Sequence, residues 1–216
     1  MNRAKRWLPL SGLLAVVAMG STGLIAPPPP VAGAPAAEVV AYFTVHRADL
    51  AIESVNLSIG VILLVVFAAT LYDRLGGVVA MTAFAAVVVI AACSLVEVAA
   101  FEALTYRPNP DTARATLLND LQDFGFQVTT FPALLFLASS SYAILATSAL
   151  PRLLGQAAAV AAGLQMVAWV SFFAPTGPFA AGGIPSIIAF AALLGWTAAC
   201  SVTMTLRVRR QAPAGG

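Results

Sequence analysis

Apolar residues run along this chain in long blocks, separated by short polar or proline-rich breaks. A bilayer core about 30 Å thick is crossed by roughly 20 apolar residues in an α-helix. Six blocks reach that length: Trp7–Ala26, Leu50–Tyr72, Gly77–Ala103, Phe124–Ala149, Leu153–Ala174 and Ile184–Leu206. Helix is the expected conformation, because lipid leaves each backbone N–H to be satisfied within its own segment. The pattern predicts an all-α fold: one integral membrane domain over residues 1–216, built as a polytopic bundle of six transmembrane helices.

The breaks carry their own pattern. Pro27–Pro30 predicts a stiff polyproline spacer. After it, Val39, Val40, Phe43 and Leu50 recur at helical spacing, so Ala36–Asp49 reads as a short amphipathic helix. Arg107-Pro108-Asn109-Pro110-Asp111 reads as a turn, and Leu117, Leu118, Leu121 and Phe124 mark a second amphipathic segment with Asp111 or Thr112 as its N-cap. Pro132 is expected to kink the fourth span or free a carbonyl four residues back. Gly155, Ala159 and Gly163 repeat every four residues and would permit close helix approach.

Composition narrows the class. The 216 residues are 60% hydrophobic and 9% charged, with a mean hydropathy of +0.91, against about 25% charged residues in an ordinary soluble domain. That excludes a water-soluble globule and a disordered chain. With 2 Cys among 216 residues, a disulfide-stapled fold is excluded too. Cys93 and Cys200 lie inside apolar blocks and read as small buried side chains. A net charge of +2 gives no electrostatic footprint for nucleic acid.

The charges are unevenly placed. Arg3, Lys5, Arg6, Arg74, Arg152, Arg207, Arg209 and Arg210 fall on one side of the predicted membrane, and Arg47, Arg107 and Arg114 on the other. The positive-inside rule then puts both termini in the cytoplasm, with both amphipathic helices in outer loops. The first block could instead be a signal peptide, with small residues near Ala32 and Ala34. Its apolar stretch exceeds the usual h-region of about 7–15 residues, so it reads as a retained span. The expected location is a bacterial cytoplasmic membrane.

Of the acidic residues, Asp73 alone is on the basic side; Glu38, Asp49, Glu53, Glu97, Glu102, Asp111, Asp120 and Asp123 are on or near the outer side. The predicted midplane holds neutral polar groups, among them Ser139, Ser140, Ser141, Tyr142, Gln165 and Thr197. Ionisable groups inside a membrane are costly and therefore informative. Glu53, Asn56, Glu97, Asp123 and Gln127, with Asp120 beside them and His46 and Arg47 above, form a candidate outer-face polar pocket for a cation, a small polar solute or a lipid headgroup. The competing reading is that these groups pair with one another, through contacts such as Arg47–Glu53 or His46–Glu97, and only fix helix packing.

Known catalytic patterns are missing. His46 is the single histidine, which excludes a bis-histidine haem and zinc motifs such as HExxH. There is no nucleophile elbow, Walker A loop or GxGxxG. No catalytic residue, metal site or cofactor is assigned.

Three segments together resemble a known family. Glu38–Arg47 is similar to an outer-loop motif of the form VVxFYxxHR, and Leu117–Phe131 to a Leu/Asp/Phe-rich entry to the fourth helix. Ala149–Gly155 is similar to an ALPRWLG cytoplasmic turn, departing from it at Leu154, where the pattern has Leu after a Trp at the preceding position. In this order they resemble uncharacterised six-helix integral membrane proteins common in high-GC Gram-positive bacteria. The resemblance spans nearly the whole chain, implies the six-helix fold and draws attention to His46, Arg47, Asp120 and Asp123. It implies no activity.

The expected function is non-enzymatic: binding, sensing or scaffolding at the outer face. A small-solute or ion transporter is the alternative, and a membrane-embedded enzyme using Glu53 and Glu97 a further one. The expected partners are the lipid bilayer and either another protein or a second copy of the chain.

Overall fold

The computed structural model describes residues 7–106, 111–174 and 177–211, with side chains to residue 207. The basic residues at 3, 5 and 6, the side chains at 209 and 210, and most of the turn expected at 107–111 lie outside the described residues. Among the described residues all regular structure is helical. In chain order the helices are α1 (Leu10–Gly20), α2 (Ala36–Val45), α3 (Arg47–Leu75), α4 (Gly77–Tyr106), α5 (Thr112–Val128), α6 (Thr130–Thr147), α7 (Arg152–Ala168) and α8 (Ile184–Gln211). A 3-10 turn, Trp169–Phe172, extends α7.

Six helices close into a ring that follows the chain: α1 packs on α3, α3 on α4, α4 on α6, α6 on α7, α7 on α8, and α8 back on α1. The expected amphipathic helices are both present. α5 lies on α4, and α2 on α5, at one end of the ring. The main core fills the ring with Leu64, Phe67, Phe136, Leu137, Ile144 and Met204. A smaller cluster of Val39, Phe43, Leu50, Leu104 and Ala115 joins α2 and α5 to the ends of α3 and α4.

Among the described residues, five helical segments are long and apolar enough to cross a membrane: Arg47–Leu75, Gly77–Tyr106, Thr112–Thr147, Arg152–Phe172 and Ile184–Arg207. Their outward faces carry exposed aliphatic residues such as Val78 (80% exposed), Leu153 (73%) and Val160 (67%). Water would not tolerate so much apolar surface, whereas lipid matches it.

The first expected span differs. α1 is 11 residues long rather than a helix over Trp7–Ala26, and at 1.5 Å per residue it covers about 16 Å. Its end is chemical. The Ser21 hydroxyl donates to Ala18 O (2.8 Å) and Thr22 to Met19 O (2.6 Å), occupying the carbonyls that a further turn would use. Gly23 then takes φ +78°, a left-handed conformation that costs glycine little. At the other end, Ser201 of α8 donates to Pro9 O and accepts from the Leu13 N–H. α1 lies close on α3: a Cβ at Gly60 would sit 2.5 Å from Met19 Cγ and 3.1 Å from the Met19 backbone nitrogen.

The fourth span also differs from the expected single run, Phe124–Ala149. The helix is interrupted at Thr129 between α5 and α6. Pro132 has no N–H to give the Val128 carbonyl, which is the physical reason for a break there. Gly155 receives Leu145 and Ile144 of α6 at close range, but Ala159 and Gly163 are exposed. The small-residue stripe therefore serves helix packing only at its first member.

Candidate functional site

At the end carrying α2 and α5, the chain between α1 and α2 crosses the mouth of the ring as an extended strap. Pro27–Pro30 has no N–H groups to bond with, so its carbonyls and the neighbouring amides need outside partners. Four side chains supply them. Glu53 Oε1 accepts from the Gly23 N–H (2.7 Å) and the Ala26 N–H (3.3 Å). The Tyr42 hydroxyl donates to Pro27 O (2.5 Å). Asn119 Nδ2 donates to Pro30 O (3.0 Å), and Asp120 Oδ1 accepts from the Gly33 N–H (2.9 Å). The strap is thus tied to α3, α2 and α5.

Beneath it is a cavity of about 530 Å³. Four helices, α3, α4, α5 and α8, give most of its wall. α4 contributes Ile90, Ser94, Glu97 and Phe101, three or four residues apart and so on one face. α3 contributes Glu53, Ser54 and Leu57; α5 contributes Gln122, Asp123 and Phe126; α8 contributes Ile187, Phe190 and Leu193. The polar members lie near the strap. Leu57, Ile90, Ala133 and Leu193 lie further along their helices and make the deep wall apolar.

The polar wall is incompletely bonded. Glu97 (6% exposed) and Asp123 (5%) are buried, and Glu97 Oε1 and Asp123 Oδ2 have no hydrogen-bond partner among the described residues. The same holds for Ser54 Oγ and Gln122 Oε1. Buried polar atoms are almost always bonded in folded proteins, so four such atoms around one cavity are a signal. Glu97 is wedged against α5: a Cβ at Gly125 would lie 2.6 Å from Glu97 Cγ. No Lys, Arg or His lines the cavity among the described residues, and no group of three or more His, Cys, Asp or Glu is disposed to hold a metal ion among them.

Of the expected pocket residues, Glu53, Glu97 and Asp123 meet at this cavity. The others are placed elsewhere. Asn56 turns to Ser21 Oγ (3.3 Å). Asp120 holds the strap. Gln127 is fully buried and donates from Nε2 to Ala168 O (2.6 Å) while its Oε1 accepts from Ser186 Oγ (2.5 Å). Arg47 does not reach Glu53; its Nη2 donates to Tyr106 O (2.7 Å), tying the start of α3 to the end of α4. His46 does not reach Glu97; its Nδ1 lies 3.9 Å from Asp49 Oδ2, and its ring is 5.0 Å from that of Tyr42. The pairings that would have satisfied the two glutamates are absent because Arg47 and His46 both lie outside the cavity and bond elsewhere. Ser54, Gln122 and the prolines of the strap belong to the site without having been legible in the sequence. Ser94 shares the Glu97 face of α4.

Tyr42 gives the strap end a pH signature. Burial, then the charges of Glu53 and Asp49, push its phenol up to about 12. The folded value lies above the ordinary value of about 10, so this group's contribution to stability is complete below pH 10 and is lost as pH rises through 12. A spectrophotometric titration of the folded protein should show a phenol ionising near pH 12 that disappears in Tyr42→Phe. An unchanged titration there would remove the assignment.

Comparison with known protein families, curated proteins and solved structures finds no match to this chain.

Proposed function

We propose that this is a multi-pass membrane protein that binds a small amphiphilic ligand at its outer face. Six helices span the bilayer in this reading, with α1 completed by its flanking residues, both termini cytoplasmic and the strap outside. The charge asymmetry along the chain supports that orientation. The binding reading is carried by one observation: the strapped cavity has an apolar deep wall and, at its rim, buried polar atoms that the protein itself leaves unbonded. Ligand sites are typically concave and mostly apolar, with a few convergent polar groups that fix orientation.

A binding or sensing role is favoured over transport. The cavity ends where Leu64, Phe67, Phe136 and Ile144 fill the ring, and this packing gives a solute no continuation. Native mass spectrometry of protein purified from its own membrane tests the reading. The wild type should retain a small molecule. Ser94→Leu, which projects a larger apolar side chain into the cavity, should lose it while remaining folded, with only the thermal stability that the ligand supplies removed. Adduct-free masses for both proteins would overturn the proposal.

A further inference from the structure

The unbonded atoms of the cavity also specify a ligand chemistry, an inference that rests on reading the cavity as a ligand site. Three of the four, Glu97 Oε1, Asp123 Oδ2 and Gln122 Oε1, are oxygens that accept hydrogen bonds in the amide or ionised state; the fourth is the Ser54 hydroxyl. Glu53 already accepts two backbone N–H groups. What the wall lacks is positive charge. Three carboxylate-bearing side chains, Glu53, Glu97 and Asp123, each more than nine-tenths buried, line one cavity with no basic side chain among its described lining residues. A buried charge is costly unless it is paired.

We propose that the ligand is an organic monocation, a primary or secondary ammonium carried on an apolar body. An ammonium offers several N–H donors from one compact charge, which suits acceptors converging from α4 and α5. The apolar body matches the deep wall, and the rings of Phe101, Phe126 and Phe190 line the same space; aromatic faces attract cations as well as hydrocarbon. An anionic headgroup would meet carboxylates with no counter-charge. A metal ion would need a ligand set that the described residues do not provide.

The test uses three probes of one shape on the full-length protein in neutral detergent: cyclohexylmethylammonium, cyclohexylmethanol and cyclohexanecarboxylate. Calorimetric titration gives the three dissociation constants. The ammonium should bind at least about tenfold more tightly than the alcohol, the scale of one hydrogen bond to a charged group, and the carboxylate should be weakest. Glu97→Gln and Asp123→Asn should each remove most of that preference while leaving affinity for the alcohol nearly unchanged. If a variant fails to fold, the order of the three probes on the wild type still decides. Equal affinities, or a preference for the alcohol or carboxylate, would overturn the cation and leave the cavity as a ligand site. If none of the three probes binds, the cation inference falls; if the purified protein is also adduct-free, the ligand-site reading falls with it.

Discussion

Gln127→Leu should cost about 3 kcal/mol of unfolding free energy, because it leaves two buried groups without partners at once. Gln127 sits at the end of α5 with no surface exposure. Its amide donates to the carbonyl of Ala168, the last residue of α7, and accepts from Ser186 in the first turn of α8. One side chain therefore bolts three helices where the ring meets the loop between α7 and α8. Leucine fills nearly the same volume, so the loss reports hydrogen bonding rather than packing. Ser186→Ala removes one of the two partners and should cost less. The double variant should be less destabilised than the two single costs added, since both act on one bond. Reversible unfolding in mixed micelles gives all three values. Additive costs, or a Gln127→Leu protein as stable as the wild type, would show that the bolt does not carry the junction.

Gln127 also shows where reading the sequence reaches its limit. A polar side chain among apolar neighbours is visible as an anomaly, and near Asp120 and Asp123 it is naturally assigned to the same pocket. Whether it faces that pocket depends on which helix lies across from it, and that is a property of the ring. Local chemistry was more legible. Hydrophobic blocks located the long helices, period-3.6 spacing located α2 and α5, and Pro132 marked a disturbance in the fourth span, though as a kink rather than a break. The short extent of α1 has a local cause as well. Leu24, Ile25 and Ala26 are as apolar as a span requires, but Ser21 and Thr22 consume the carbonyls beneath them, and Gly23 turns the chain. Hydropathy counts greasy residues and is blind to that competition. The cavity was the least legible feature. It arises because α3, α4 and α5 present polar residues, and α8 apolar ones, around one space, and no single segment records the coincidence.

Glu53→Leu should open the strap and expose the cavity. Glu53 is the acceptor for two backbone amides at the point where α1 gives way to the prolines, and hydrogen bonds to a charged group are the stronger kind. Removing it leaves the contacts from Tyr42, Asn119 and Asp120 to hold the strap alone. Local opening has its own free energy, separate from global unfolding, and losing charged acceptor contacts should raise the open population about tenfold or more. A cysteine at Ser94, in a background with Cys93 and Cys200 replaced by alanine, reports this as its rate of reaction with a membrane-impermeant maleimide. The rate should rise about tenfold with Glu53→Leu and much less with Glu53→Gln, which keeps a carbonyl acceptor in place. Applied to intact cells, the same reagent should label the site from outside. Labelling confined to inverted vesicles would reverse the proposed orientation yet leave the strap intact. Equal rates in the wild type and Glu53→Leu would mean that the strap does not gate the cavity, and that Glu53, like Gln127, serves only to fasten one element to another.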